Sequence, residues 1–382
     1  MLTSVVIHVE DPSPAHAAPE LAERAVAEWP RREPPAAALL FVSGALEPAA
    51  HVHAVRDAFP GIRLIGCSSD GEMSSTLGHH TDSAVLMLFG SDRTRFEPFV
   101  CRCDENWKVN RPDSGDAGDA LETATVGLMF AEAISGTDGE TIMRQVQADL
   151  GPEVPLFGAL AADDWEFRRT YQFIDDEVLQ GAAVGLLFHG PLAIGYGLDS
   201  GWSPLGPSVR IDVARGSRVE RIDGVPATDY YDGLVGRSAD INGSYPLMFR
   251  QGVNRYLRAP LRQEDDSILF AGAVPEGVEA QVACASPKAI LGAARRSAED
   301  AAAMLKSPPD AVVLFSCAAR HYVLGTQTRR EIDEAMAAFE GEPAVAGMYG
   351  YGEIAPLRSS RGHGTLFHNE TFVCLALREM TP

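Results

Sequence analysis

The chain has 382 residues, which exceeds the roughly 250 to 300 residues at which one hydrophobic core usually stops growing. It is 46% hydrophobic and 22% charged, a composition typical of a globular protein and unlike that of a disordered one. The formal net charge is −21, and such an acidic surface repels nucleic-acid phosphates and anionic lipid headgroups. We therefore expect neither a nucleic-acid partner nor a membrane partner.

The N-terminus and the cysteines indicate a cytoplasmic protein. Acidic residues soon follow residues 1–8, where a secretion signal would have a basic region and an apolar stretch. No apolar run reaches the 18 residues of a membrane helix. The six cysteines are sparse and mostly embedded in apolar runs, as expected of reduced thiols.

A first structural unit is predicted between residues 37 and 89. Residues 37–42 are a continuous apolar run, typical of a buried strand in a parallel sheet. The following elements are a helix at 51–59, a short strand at 62–65, a glycine-rich loop at 66–72 and a closing strand at 83–89. The order is therefore strand, helix, strand, loop, strand.

The same order recurs at residues 126–188 and 310–377. In each copy a glycine ends the second strand and an acidic residue follows six positions later. The pairs are Gly66 and Glu72, Gly158 and Asp164, and Gly347 and Glu353. The repeated spacing favours a common origin for the three units, although α/β chains often reuse such units and glycine suits any sharp turn.

The segment between the second and third copies has a different character. Residues 195–213 and 218–222 have the pattern of extended strands, Asp223-Gly224 is a turn signal, and residues 266–285 predict another hairpin. The sequence thus predicts a mixed α/β (α+β) fold in two domains, residues 30–220 and 221–377. Repeated strand-helix-strand-loop-strand units and an antiparallel insert would build these domains.

Several separate motifs, collinear along the chain, resemble the FIST family. Those of its N-terminal half are residues 64–72 (LIGCSSDGE), 157–163 (FGALAAD) and 201–207 (GWSPLGP). Those of its C-terminal half are residues 218–227, 316–320 (SCAAR), 347–355 and 368–371 (HNET). The resemblance covers residues 37–377 and implies a FIST N-like and a FIST C-like domain.

The resemblance implies a bacterial intracellular sensory domain of signal transduction that binds a small metabolite such as an amino acid, without catalysis. Some relatives are reported to bind haem and to sense nitric oxide. Only residues 378–382 follow the last predicted strand, so we expect the signal to pass to a separate protein such as a histidine kinase or cyclase.

The three loops are the expected ligand site, because glycines at strand ends allow close approach of a ligand. Glu72, Asp164 and Glu353 are candidates for holding an ammonium group, and Arg168, Arg169 and Arg320 for binding a carboxylate. In the alternative, the glycines only make turns and the acids are solvated or cap helices. Asp163 matches the family position and Asp164 keeps the spacing, so both stay candidates. The candidate ligand-binding residues are Gly66, Cys67, Ser68, Gly71, Glu72, Gly158, Asp163, Asp164, Arg168, Cys317, Arg320, Gly347, Tyr349, Tyr351, Glu353, His368 and Asn369.

A small-amide hydrolase is one alternative function, because Cys67 and Cys317 lie beside serines at strand ends. A thiol becomes a nucleophile only where a nearby base or helix N-terminus lowers its pKa. No histidine is close in sequence to Cys67, so the favoured interpretation of both cysteines is a buried small apolar residue.

A haem-binding nitric oxide sensor is the other alternative. Haem needs an axial ligand, commonly histidine, in an apolar pocket, and His368 and His189 are the candidates. A hydrogen-bonded histidine is the simpler interpretation of each, so no cofactor is expected. No metal site is expected either, since Cys101-x-Cys103 and His51-x-His53 lack a second ligand pair at the usual distance.

Overall fold

A computed structural model describes residues 1–10, 13–111, 124–134, 136–237, 241, 243–251, 254–357 and 364–380. The described residues form seven α-helices and 27 strands in three six-stranded sheets and one nine-stranded sheet. The predicted mixed α/β class is confirmed. None of the described helices has the length and apolar character needed to cross a membrane.

The first unit has one parallel strand pair, β2 with β3, around a helix. Strand β6 then returns antiparallel to β2, and β1 adds to the outer side of β6. All seven residues of β2 are buried, as the apolar run predicts. The elements are β1 (Thr3–Glu10), α1 (Pro14–Glu28), β2 (Ala37–Ser43), α2 (Pro48–Ala58), β3 (Arg63–Ser69), β4 (Glu72–Ser74), β5 (Gly78–His80) and β6 (Ser83–Gly90).

The second unit repeats this arrangement. Strands β8 and β9 are parallel around α3, β12 returns antiparallel to β8, and β7 pairs with β12. Its elements are β7 (Arg95–Arg102), β8 (Val126–Ala131), α3 (Gly139–Leu150), β9 (Leu156–Leu160), β10 (Gln172–Ile174), β11 (Glu177–Leu179) and β12 (Ala182–His189).

The third unit begins with β13 (Leu192–Asp199). The insert follows this strand in the chain, and the unit continues at α5. Strands β23 and β24 are parallel, β27 returns antiparallel to β23, and β13 pairs with β27. Its remaining elements are α5 (Pro287–Leu305), β23 (Ala311–Cys317), α6 (Ala318–Leu324), α7 (Arg329–Met336), β24 (Ala344–Gly350), β25 (Glu353–Pro356), β26 (Thr365–His368) and β27 (Phe372–Glu379).

The insert is the predicted antiparallel segment. Its described strands pair only antiparallel, and its core is a separate apolar cluster that includes Tyr231 and Phe249. Its elements are β14 (Ser203–Pro204), β15 (Val209–Arg215), β16 (Arg218–Ile222), β17 (Val225–Pro226), α4 (Ala227–Val235), β18 (Leu247–Gln251), β19 (Asn254–Arg258), β20 (Pro260–Glu264), β21 (Ser267–Phe270) and β22 (Glu279–Cys284).

Each unit contributes a β-hairpin that pairs with the sheet of another unit. Strand β4 pairs with β24 of the third unit, β10 with β3 of the first, and β25 with β9 of the second. The exchange is cyclic, and it joins the three sheets into what we call the three-sheet body. Strands from both sides of residue 220 share its sheets, and the division into two domains at that residue stays a prediction.

Three phenylalanines mark the centre of this body. Phe41, Phe130 and Phe315 are each the fifth residue of the first parallel strand of their unit. The ring centroids of Phe41 and Phe130 are 5.3 Å apart, and those of Phe130 and Phe315 are 5.9 Å apart. Equivalent side chains from the three units thus meet in one shared core, which supports the repeat predicted from the sequence.

The three repeat glycines lie inside strands, and the prediction that the loops begin at them was wrong. Gly66, Gly158 and Gly347 belong to β3, β9 and β24, which run on for two or three more residues. A Cβ on Gly66 would overlap the Leu40 carbonyl of the parallel neighbour, and one on Gly158 would overlap the Met129 carbonyl. Glycine is needed there for close strand packing.

Candidate functional site

The loops that follow β3, β9 and β24 meet at one end of the three-sheet body. We call residues 70–71 the first loop, 161–171 the second and 351–352 the third. Backbone hydrogen bonds of 2.9–3.0 Å join each loop to the end of a strand from another unit, from Asp70 N to Tyr349 O, from Ala162 N to Ser68 O and from Leu160 N to Gly352 O. The hairpin exchange therefore brings together the regions that the sequence predicts as the ligand site.

Acidic side chains from the first two loops lie side by side. Asp70 is 3% exposed and accepts a hydrogen bond from Trp165 Nε1 at 3.1 Å. Burial raises the pKa of Asp70 and, together with the charge of Asp70, raises the pKa of Asp164 to about 6. His321 has its Nδ1 3.6 Å from Asp70 Oδ2. Burial opposes its protonation, but Asp70 outweighs that effect and raises the pKa of His321.

The neighbouring Asp163 holds the second loop in shape. Its carboxylate accepts hydrogen bonds from the backbone N–H groups of Phe167, Arg168 and Arg169 at 2.7–3.0 Å, and from the Tyr351 hydroxyl at 2.8 Å. Asp163 is therefore a buried acid whose carboxylate is already hydrogen-bonded, whereas Asp164 is the half-buried acid beside Asp70.

A small pocket, here named the loop pocket, lies between the loops and the insert. Its aromatic wall is Trp165, Phe167 and Tyr351, and the last two rings stack with centroids 4.6 Å apart. Its volume of about 20 Å³ has room for roughly one water molecule. The other lining residues are Cys317, Ala318, Ala319 and Asn369 from the three-sheet body and Gly243, Ala259, Leu261 and Ala271 from the insert.

Two buried glutamates lie behind Cys317. Glu353 Oε2 accepts hydrogen bonds from the backbone N–H and the hydroxyl of Thr371, while Glu353 Oε1 has no partner among the described residues. Glu370 has a φ of +64°, and neither of its carboxyl oxygens has a partner in the described part of the chain. Burial raises the pKa of Glu353 to about 8 and that of Glu370 well above its usual range. Burial thus favours the protonated, uncharged form of both side chains.

Strand register places two of the predicted ligand acids at equivalent positions of different sheets. Glu72 lies opposite Met348, Glu353 opposite Ala159 and Gln172 opposite Cys67. Each of these three partners is the residue that directly follows a repeat glycine. The side chains of Glu72, Glu353 and Gln172 each accept a hydrogen bond where their own closing strand begins, from Ser83 Oγ, Thr371 N and Ala182 N respectively. The counterpart of Glu72 in the second unit is therefore Gln172, and the six-residue spacing of Asp164 does not mark an equivalent position.

The arginines predicted to bind a carboxylate are placed differently. Arg320 is fully buried, donates from Nε and Nη2 to Glu331, and also donates to the carbonyls of Ser200 and Ile290. Its guanidinium has no exposed donor left for a ligand, which corrects the predicted role. The Arg168 side chain is 81% exposed and pairs with Glu166, outside the loop pocket.

The other candidate side chains of the first and third loops lie in the interior. Cys67 Sγ is 3.4 Å from Met348 Sδ, and burial raises the pKa of this thiol well above its usual range. Ser68 Oγ accepts a hydrogen bond from Tyr171 N. Tyr349 is fully buried and donates its hydroxyl to Glu331, so this ring fills the core, whereas Tyr351 lines the pocket. Gly71 has a φ of +119° at the turn into β4.

The two histidines that could hold haem have partners at Nε2. His368 Nε2 donates to the Ala355 carbonyl at 3.0 Å, and burial lowers its pKa to about 4. His189 Nε2 is 2.9 Å from Glu97 Oε2. This arrangement does not fit a haem iron bound through Nε2 of either residue. In the described ranges, no three His, Cys, Asp or Glu side chains are grouped as metal ligands.

Comparison with protein families identifies both halves of the chain. Residues 36–225 match the model of the FIST N domain, and residues 227–356 match that of the FIST C domain. The chain belongs to the FIST family. The predicted resemblance is confirmed, and FIST domains are sensory domains of signal transduction that are not typically catalytic. No curated protein matches the chain.

Within this FIST chain, three site residues were missed by the sequence interpretation. Asp70 lies in a quoted motif but breaks the glycine-to-acid spacing that drew attention to Glu72. His321 reaches Asp70 only because the third unit folds against the first. Glu370 is recognisable only from its burial and its left-handed backbone, which no pattern in the sequence signals.

Proposed function

We propose that the chain is a ligand-binding sensory protein that takes up a small metabolite such as an amino acid by its ammonium group at the loop pocket. It then signals through a separate protein, such as a histidine kinase or cyclase. The observation that carries this proposal is the surplus of carboxyl groups where the loops meet.

The carboxyl groups around the pocket favour a cationic ligand, with which they can pair when they are ionised. Asp70 accepts a hydrogen bond from the lining residue Trp165, and Asp164 lies beside Asp70. Glu353 and Glu370 lie beside the lining residue Cys317, while the guanidinium of Arg320 is already paired with Glu331. Buried carboxyl oxygens without hydrogen-bond donors are costly. An ammonium group supplies three donors, and the faces of Trp165 and Tyr351 add cation–π attraction.

The size of the pocket suits a head group and not a whole metabolite. Because Gly243, Ala259, Leu261 and Ala271 close it from the insert side, the body of a ligand has to enter between the insert and the three-sheet body. Such entry would shift the insert, and a partner could recognise the shifted surface. Among the described lining residues there is no arginine for the ligand's carboxylate, so recognition rests on the ammonium group.

Thermal unfolding with matched probes tests the proposal. Leucine and isoamylamine should both raise the unfolding midpoint, whereas N-acetylleucine should not, because it lacks the ammonium group. A ligand at 100 times its Kd adds about 2.7 kcal/mol to stability. Binding should tighten as pH rises toward 8, since the protonated glutamates must ionise to pair with the ammonium.

Two glutamate variants make the test specific to the pocket. Glu353→Gln should weaken leucine binding by about tenfold or more, because a charged hydrogen bond is lost. Glu72→Gln is the matched control, as Glu72 has the equivalent register position in another sheet. Equal effects of the two variants would contradict the proposal. A Soret band with haemin, together with no response to any amine, would instead support the haem sensor.

A further inference from the structure

A second and larger pocket, here named the Trp202 pocket, lies between the end of β13 and the β18–β19 hairpin. Its volume is about 510 Å³, within the range of roughly 300 to 1,000 Å³ typical of small-molecule sites. Leu198, Met248, Leu257 and Leu357 supply apolar walls. It shares no lining residue with the loop pocket, so it is a distinct candidate site.

Trp202, a lining residue of this pocket, has an unused donor. Its side chain is 4% exposed, and its indole Nε1 has no hydrogen-bond partner among the described residues. Gly201, with a φ of +86°, makes the turn before it, and a Cβ there would lie 2.7 Å from the Ala289 carbonyl oxygen. The indole is therefore held in place with a buried N–H, which favours a ligand that offers an acceptor.

Arg255 brings an unpaired positive charge. It is exposed on β19 directly opposite Arg250 on β18, and within the described ranges neither arginine has an acidic partner. Like charges at opposite positions of a strand pair destabilise it, and this arrangement is unexpected in a chain of net charge −21. A negatively charged ligand would relieve the repulsion.

The other polar groups of the pocket do not offset this charge. Asp199 is engaged by Arg296 at 2.7 Å and by the Ser200 N–H at 2.6 Å. His368 is neutral at pH 7, because burial lowers its pKa to about 4. Ser200, Tyr256 and Thr371 carry no charge there. The pocket wall thus combines apolar surface, one buried N–H donor and a cation at the rim.

We propose that the Trp202 pocket binds a small carboxylate with an apolar body. The guanidinium of Arg255 pairs with the carboxylate in the bidentate geometry that arginine favours. The Trp202 N–H donates to a second acceptor, and the leucines with Met248 cover the apolar part. This site requires a negative charge on its ligand, whereas the loop pocket requires a positive one.

Calorimetric titration of the full chain with phenylacetate and with phenylacetamide tests this assignment. Phenylacetate should bind saturably at millimolar or lower concentration, and phenylacetamide about tenfold or more weakly, because the amide lacks the charge. Arg255→Gln should reduce phenylacetate affinity to that of the amide. Arg250→Gln is the matched control, because Arg250 faces the neighbouring pocket and should lower the affinity much less than Arg255→Gln does.

Trp202→Phe keeps the ring and removes only the N–H, so it should weaken phenylacetate binding several-fold. If that variant unfolds, the comparison of Arg255→Gln with Arg250→Gln, both at exposed residues, still tests the proposal. Equal binding of acid and amide, equal effects of the two arginine variants, or no saturable binding of phenylacetate would overturn the proposal. Asp164→Asn, next to the loop pocket, should not alter phenylacetate binding, which separates the two sites.

Discussion

Trp165 Nε1 donates a hydrogen bond to Asp70 Oδ2 across 3.1 Å and so fastens the second loop to the first. The third unit reaches the same point, because His321 Nδ1 is 3.2 Å from the Asp70 carbonyl oxygen. The candidate site therefore depends on all three units being folded together. A change that loosens any one of the exchanged hairpins should disturb the whole site.

The pH dependence of stability should report on the two equivalent glutamates. Burial raises the pKa of Glu72 and of Glu353 to about 8, whereas an unfolded glutamate ionises near pH 4.3. Between pH 6.5 and 8 the folded state holds protons that the unfolded state has already released. Stability must then fall as pH rises, by up to about 1.4 kcal/mol per pH unit for each carboxyl.

Urea unfolding at several pH values measures this slope. Glu72→Gln combined with Glu353→Gln should make it shallower, since an amide resembles the protonated acid and does not titrate, whereas Glu370 still contributes. Glu23→Gln, at an exposed glutamate of α1, should leave the slope unchanged. A wild-type stability that is constant or rises across this window would show that both carboxyls are ionised in the folded protein.

Replacing a repeat glycine should damage the sheets. Gly66→Ala places a Cβ on the Leu40 carbonyl of the neighbouring strand, and overpacking of a close-packed interior costs about 1–3 kcal/mol or more. Gly233→Ala is the control, because no atom of the described residues lies within 4 Å of its added Cβ in α4 and alanine favours a helix. Equal stability of the two variants in urea would contradict the close approach.

The sequence predicts the repeated units well because each has a continuous apolar strand and a recurring glycine. It does not predict that β4, β10 and β25 pair with strands of other units, since an exchanged hairpin has the same local pattern as one that stays. For the same reason, the local sequence pattern does not show which loop side chains come together at the site. Asp163 and Asp164 are neighbours with opposite environments, and only the turn at residues 164–167, with positive φ at Asp164, Trp165 and Phe167, decides which one is buried.

Arg320 should matter for stability more than for ligand binding. Arg320→Met leaves Glu331 without its buried cation, and breaking a buried ion pair costs about 3–5 kcal/mol. Arg168→Met, at an exposed side chain, should change stability by less than about 0.5 kcal/mol. Chemical denaturation compares them, and the double variant Arg320→Met with Glu331→Leu should recover part of the loss. A small effect of Arg320→Met alone would mean that the pair is not buried in solution.

The reactivity of the cysteines separates a sensory protein from a thiol hydrolase. Cys67 and Cys317 are buried, and burial raises the pKa of both thiols well above the usual range, whereas a nucleophilic cysteine needs a lowered pKa. Cys103 is exposed and Cys284 is half-buried. In the native protein, a thiol reagent should therefore modify Cys103 first and Cys284 more slowly.

Peptide mapping after timed alkylation at neutral pH identifies the modified residues. Cys103→Ser should remove the fast phase, and Cys67, Cys101, Cys317 and Cys374 should react only as fast as the protein unfolds. Rapid modification of Cys317 in the folded chain would be the decisive contrary result. It would mean that the thiolate forms beside Glu353 and Glu370 despite their proximity, and that the pocket carries a nucleophile in place of a ligand head group.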